Sequence, residues 1–240
     1  VRMSFGQGGP PGGRGGAAAA RGLFPIPEIA SRAAFLADVQ HDPDVDGVYR
    51  RARLFRVFDG KAVPSLALAA FLAASPGAPM EIGEGRLSVA GRAIPIDREG
   101  RAILRFRGPS GKAFRHYSAA AVIQSELRLL AGGEPVIKDP DAFRGRHVIF
   151  GFSAPGLYDL RPAPVGGVFP GSEIHATALD NLLSGDFLRE AGAAAALACT
   201  LFFALAAAVS VVFSRKAGHS LLLFAVFLPL PALLCLSAYS

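Results

Sequence analysis

The sequence predicts an α/β fold: an extracytoplasmic mixed-sheet sandwich followed by a transmembrane helical hairpin. Three observations carry that expectation. Strand-like and helix-like segments alternate between residues 24 and 190; no charged residue occurs from Ala191 to Phe213 or from Leu221 to Tyr239; and the short segment between those runs, Ser214–Ser220, carries Arg215 and Lys216. A bilayer core takes about 20 apolar residues of helix, so each run is long enough to span, the second narrowly. Two core helices of a water-soluble protein would show polar stripes at helical spacing, and neither run has one. Basic residues in short loops stay cytoplasmic, whereas long domains cross largely regardless of charge. Residues 214–220 are therefore expected inside, and residues 1–190 outside the cytosol, anchored in the inner (plasma) membrane by a multi-pass tail.

The expected organisation is a flexible leader over 1–23, a folded head over 24–190, a span over 191–213, a cytoplasmic loop over 214–220 and a second span over 221–239. The leader is rich in Gly, Pro and Ala, with Arg2, Arg14 and Arg21 and no apolar core, so it does not read as a signal peptide. An exported head then implies an export signal or anchor upstream. A second span that returns outward implies a further one before any cytoplasmic module.

Within the head, Pro25–Ala34 reads as a short helix with Pro27 near its start, followed by an extended Phe35–Gln40 and a turn-rich His41–Gly47. Val48–Phe58 has strand composition, Asp59-Gly60 is a hairpin signal, and Lys61–Val63 is the return strand. Pro64 and Ser65 open an Ala/Leu-rich helix to Ala74, closed by Pro76-Gly77. Arg86–Ala90 and Arg92–Ile96 form a hairpin about Gly91, and Ala102–Phe106 is a third strand ending at Gly108-Pro109. Val122, Ile123, Leu127 and Leu130 recur at helical spacing in a helix Tyr117–Leu130, stopped by Gly132-Gly133. The continuous apolar run His147–Phe152 predicts a central strand covered on both faces. A long loop, Ser153–Gly171, leads to a last helix, Ser172–Leu183. This alternation argues for helices packed on a mixed or partly parallel sheet.

Charge excludes one class of function. All 19 acids and all of the 25 Lys and Arg except Arg215 and Lys216 precede Ala191, which leaves the head only mildly basic. That is no nucleic-acid footprint, and an exported head would meet none. The two cysteines, Cys199 and Cys235, fall inside the apolar runs, so the head has no disulfide and depends on packing.

Candidate chemistry is sparse. Ser153 follows a predicted strand after Gly151, and Asp159 and His175 come later in the chain order of an α/β-hydrolase triad. Pro155 replaces the second glycine of that elbow, and no helix starts directly after the turn. Asp42, Asp44, Asp46 and Gly47 open like a calcium loop, yet Arg53 at the twelfth position cannot ligate, and turn chemistry accounts for the segment without metal. Glu173 and His175 lie two apart in a helix's first turn and face different directions, so they do not share a metal. Glu173, His175, Asp180 and Asn181 serve either as caps and packing or, for Glu173 and His175, in a ligand cleft. Arg107 either grips an anionic ligand or pairs with Asp159 or Glu173. No cofactor and no metal site is expected.

A set of segments occurs in one order: Asp44-x-Asp46-Gly47-Val48-x-Arg50-Arg51, Pro64-Ser65-Leu66-Ala67-Leu68, Phe106-Arg107-Gly108-Pro109, Val148-Ile149-Phe150-Gly151, Gly156-x-x-Asp159-Leu160, Pro170-Gly171-x-Glu173-Ile174-His175-Ala176 and Asp180-Asn181-Leu182-Leu183-Ser184-Gly185. Over residues 24 to 190 the chain thereby resembles the type two CHASE domain. It departs from that family's pattern at Phe106, where another aromatic is usual, and at Ser172, where an apolar residue is usual. The resemblance implies an extracellular sensory domain associated with cyclases, histidine kinases and other signalling enzymes. It also implies an architecture of N-terminal span, sensor, further spans and cytoplasmic output.

Together these readings predict a receptor's sensory head that binds an unknown small molecule in a cleft lined by Arg107, Ser153, Asp159, Glu173 and His175. Binding would shift the head against its spans and so govern an adenylate/guanylate cyclase or a kinase; the present chain would catalyse nothing. Dimerisation through the spans is expected of such a receptor, and the Ala-rich face of 191–208 permits close helix packing. Two other classes stand beside this one: a membrane-anchored periplasmic hydrolase using Ser153, and an envelope scaffold that binds no small molecule.

Overall fold

The computed structural model describes residues 4–5, 18–19, 23, 25–33, 35–58, 60–153, 159–213, 225 and 229–230, and in the last helix it describes side chains as far as Val209. The chain divides into two compact units, Val1–Arg189 and Glu190–Ser240. In the first unit, β1 (Ser4–Phe5) and β2 (Ala18–Ala19) are two-residue strands within the predicted leader, and each pairs in parallel with a strand of the head. Pro27 opens α1 (Pro27–Ala30), a single turn shorter than the predicted helix. A strap over residues 35–42, outside helix and strand, follows. It is tied to the next helix start, where the Asp38 N–H donates to Pro64 O at 2.8 Å and the Leu66 N–H donates to Asp38 O at 3.0 Å.

The strand predicted over Val48–Phe58 is two strands. β3 (Arg51–Arg53) and β4 (Phe55–Phe58) belong to different sheets, and the fully buried Leu54 between them marks the change of partner. β4 turns through Gly60, at φ +68°, into β5 (Lys61–Pro64), with Phe58 opposite Lys61. That is the predicted hairpin; Asp59 lies outside the described residues. Ser65 then caps α2 (Leu66–Ala74), its hydroxyl accepting from the Leu68 N–H at 3.3 Å.

A strand absent from the expectations, β6 (Met80–Gly83), precedes the predicted hairpin of β7 (Arg86–Val89) and β8 (Arg92–Pro95) and pairs antiparallel with β7. Met80 and Ile82 point inward and Glu81 outward, a period too short to register in the sequence. Ala90 and Gly91 have φ of 49° and 75°, the two left-handed residues of a turn whose twist matches its strands. β9 (Arg101–Ile103) ends earlier than predicted and pairs with β3.

α3 (Ala119–Leu130) forms where its period places it, but its apolar side chains are exposed, Leu130 at 76%, and only Ser125 is buried. Residues 147–152 do not form the predicted central strand. Their backbone makes no ladder, Phe150 is 77% exposed, and only Ile149 packs against the core. A run apolar on both faces needs cover on both, and α3 turns no side chain of its apolar stripe inward to supply it. The predicted long loop contains a hairpin of β10 (Leu160–Pro162) and β11 (Val168–Pro170). α4 (Gly171–Ser184) ends on Gly185 in the left-handed conformation, φ 73°, whose N–H donates to Asn181 O at 2.7 Å.

The fold is mixed α/β, as expected. In place of one mixed sheet the described residues form four small sheets, mostly antiparallel, with parallel strand pairs where β1 and β2 join and one isolated parallel bridge between Asp38 and Ser65. The core lies between α2, α4 and these sheets, with Leu54, Leu68, Leu87, Ile94, Leu104, Phe169, Ile174 and Leu182 almost wholly buried.

In the second unit, α5 (Ala193–Phe213) is a 21-residue helix without a charged side chain, bearing the exposed Cys199. Among the described residues no helix is long and apolar enough to cross a membrane. The predicted loop 214–220, nearly all of the predicted second span 221–239, and Cys235 lie outside the described residues.

Candidate functional site

The first turns of α4 are where distant parts of the head converge. Pro170 occupies the capping position and brings no capping side chain, so partners from elsewhere satisfy the helix start. The Gly171 N–H donates to Asp159 O at 2.9 Å. A Cβ at Gly171 would meet the Asp159 carboxylate at 2.5 Å, so a side chain there would turn that carboxylate away. Gly151 approaches from another segment just as closely: a Cβ there would meet Ser172 Cβ at 2.5 Å.

Glu173 is 3% exposed and suits the positive end of the helix dipole. Its carboxylate reaches the loop after Gly108-Pro109, accepting from Ser110 Oγ at 2.5 Å and from the Gly111 N–H at 3.0 Å. His175 faces the other way, as its spacing from Glu173 requires, and stacks on His41 of the strap with ring centres 4.1 Å apart. His41 Nε2 lies 3.2 Å from Gly171 O. Burial pushes both imidazoles below their ordinary value, His175 to about 4 with the neighbouring His41 adding to the effect.

The other end of α4 is ionic. Arg107 pairs with neither Asp159 nor Glu173. Its Nε donates to Asp180 at 2.6 Å, and its two terminal nitrogens grip Asp186 in a fork at 2.6 and 2.9 Å. Arg107 holds the Asp186 carboxyl below the usual carboxylate range, and the two acids raise the Arg107 guanidinium in turn. Between the ends, the fully buried Asn181 acts as a surrogate strand: its Oδ1 accepts from the Arg105 N–H at 2.8 Å and its Nδ2 donates to Arg105 O at 3.0 Å. Beyond the helix, the Leu188 N–H donates to Ile103 O at 3.1 Å. Arg92 donates to the carbonyls of Leu182 and Leu183, closing the helix C-terminus.

Of the five predicted site residues, the structure therefore brings Asp159, Glu173 and His175 to the head of α4. Ser153 is exposed, two residues beyond the Gly151 that abuts Ser172. Arg107 belongs to the opposite end, Asp180 being about 10 Å along the helix from Glu173 at 1.5 Å per residue. Asp159 is paired with Arg161 at 3.2 Å and His175 with His41, so the described residues contain no hydrogen-bonded Ser–His–Asp relay. In the calcium-like segment the acids turn to arginine: Asp42 to Arg53 and Arg56, Asp44 to Arg50 and Arg51, Asp46 to Arg50. Sequence reasoning missed His41 and Ser110, which carry no local motif and meet α4 only through the chain's path.

The first unit is thus a mixed α/β head whose polar segments gather on one helix, α4. The chain belongs to the CHASE2 domain family, whose model matches residues 16–211 and so extends past the head into α5. This is a family of extracellular sensory domains in signalling receptors. No curated protein and no solved structure matches the chain.

Proposed function

We propose that the chain is the extracytoplasmic sensory head of a transmembrane signalling receptor together with part of its membrane anchor. The observation that carries this reading is the placement of α4 between a polar gathering point and the exit of the head. At its first turns the helix receives the strap, the loop at Ser110 and the segments of Gly151 and Asp159. At its last turns it is tied through Arg107 and Asp186, and through the Leu188 to Ile103 bridge, to the stem that leads out of the domain.

A ligand bound among Ser153, Asp159, Glu173 and His175 changes which arrangement of those segments is favoured, and α4 carries the difference to residues 185–189. It does so only to the extent that its affinity differs between the two arrangements. Arg107 then serves as a clasp on the exit stem. The charge-free runs 191–213 and 221–239 act as spans, and Arg215 and Lys216 keep the loop between them cytoplasmic. The output is a cyclase or a kinase, and pairing of receptors through the spans brings two outputs together.

A reporter inserted in the exposed stretch 132–141 tests the orientation: alkaline phosphatase activity there supports the reading, and activity only of a cytosolic reporter overturns it. Arg107→Ala in the intact receptor tests the clasp. It should disconnect ligand from output while leaving ligand-induced thermal stabilisation of the head unchanged.

A further inference from the structure

The receptor reading gives His175 a place in the ligand cleft and leaves its contact with His41 without a task. His175 is 7% exposed, and its ring lies 4.1 Å from that of His41 at an interplanar angle of 42°. The rings belong to different parts of the head, His175 to α4 and His41 to the strap, and each ties its own part to the other. His41 contacts the Gly171 carbonyl at 3.2 Å, and the Val39 backbone of the strap is the polar neighbour of the His175 ring. A neutral imidazole supplies the one N–H that such a contact needs.

The carboxylates that favour a charged imidazole here, Asp38, Asp42 and Asp159, are each paired with arginine, and burial outweighs them. The strap contributes Asp38 and Asp42, but Asp38 is engaged by Arg56 at 2.9 Å, and Asp42 by Arg53 at 2.8 Å and Arg56 at 3.1 Å. The residues leading into β10 contribute Asp159, which is engaged by Arg161 at 3.2 Å, and Arg161 is itself a cation near His41. Tyr49 presents an edge-on ring at 6.4 Å from His41 and no charge. Glu173, the acid on the same helix turn, faces Ser110 and Gly111. The positive end of α4 adds to the disfavour of a cation. A second proton would set two cations ring against ring.

We propose that the head senses protons: protonation of the His41–His175 stack drives the strap of residues 35–42 off the first turns of α4. This rests on the sensory reading and supplies its input. Burial holds both rings neutral near neutrality. A histidine whose folded value is depressed contributes stability that is complete above its ordinary value of 6.5 and is lost as the pH falls from there toward the folded value, about 4 for His175. The strap therefore closes in neutral surroundings and opens in acidic ones.

The test is hydrogen exchange of residues 35–42 in the full chain reconstituted in lipid nanodiscs, corrected for the intrinsic pH dependence of exchange, with the β4–β5 hairpin as internal reference. Opening of the strap should rise at least about tenfold, the displacement that one unit of altered proton affinity produces, as the pH falls from 6.5 toward 4. The double variant His41→Phe/His175→Phe should show no such rise while retaining its far-UV spectrum at neutral pH. An equal rise in the double variant, or none in the parent chain, overturns the proposal. Should the double variant not fold, imidazole NMR titration of the parent chain decides: values depressed and mutually dependent support the stack, and two independent titrations near 6.5 overturn it. Exchange of the strap is indifferent to membrane orientation, so a flat profile removes the proton as input and leaves the topology experiment to judge the receptor reading.

Discussion

The two ends of α4 are held by different physics. At its N-terminus the contacts are short: Glu173 against Ser110 and Gly111, His175 against His41, and Gly151 with no room for a methyl group beside Ser172 Cβ. At its C-terminus Arg107, Asp180 and Asp186 are each about a third exposed and are held by charge. Buried polar groups are costly when their partners leave, whereas exposed ion pairs contribute little and are screened by salt. The N-terminal end is thus suited to switching between discrete arrangements, and the C-terminal end to a clasp that tightens or loosens at small cost.

That contrast can be broken by substitution. Gly151→Ala should have the largest effect, because the new Cβ falls 2.5 Å from Ser172 Cβ, which cannot rotate away, and either the helix start or the segment of Gly151 must move. A loss of about 2 to 3 kcal/mol in denaturant unfolding is expected. Glu173→Ala leaves the Ser110 hydroxyl and the Gly111 N–H without their acceptor and should cost about 2 kcal/mol, with faster exchange in the loop around Gly111. Arg107→Ala should cost less than about 1 kcal/mol, and that difference should shrink in high salt. Were Arg107→Ala to cost more than Glu173→Ala, the contrast between the ends would be inverted. Leu127→Ser on α3 sharpens the comparison from outside: the side chain is 60% exposed, so stability should change by no more than about 0.5 kcal/mol.

The ends also separate in pH. The histidine end weakens as the pH falls below 6.5 toward about 4. At the clasp, Arg107 depresses the Asp186 carboxyl, so its contribution is complete above the ordinary carboxylate value of 3.8 and is lost only as the pH falls through the lower folded one. Acid titration should therefore free the strap before it frees the exit stem, which exchange at residues 35–42 and 185–189 would resolve.

Much of the head was legible in the sequence wherever a local rule applied. Gly91 and Gly60 mark their hairpins because only a left-handed turn matches the twist of the strands, Ser65 marks the start of α2 by its capping hydroxyl, and Gly132-Gly133 marks the end of α3. The ordered segments from Asp44 to Gly185 led to the family that the match over residues 16–211 establishes. The apolar runs of α3 and of residues 147–152 misled, because periodicity states which side chains could be buried and not whether another element arrives to bury them. Of the two alternatives for Arg107, the pairing with Asp159 or Glu173 named the wrong acids for a related reason: a guanidinium selects whichever carboxylates the fold delivers, here Asp180 and Asp186.

Turns, caps, helix periods and charge-free runs are properties of neighbouring residues, and the pattern of the chain was enough to assign them. The meeting of His41, Ser110, Gly151 and Asp159 at one helix turn joins positions up to 130 residues apart. No local period encodes such a meeting; it exists because burying Leu54, Phe169, Ile174 and Leu182 together leaves the connecting segments a single place to converge.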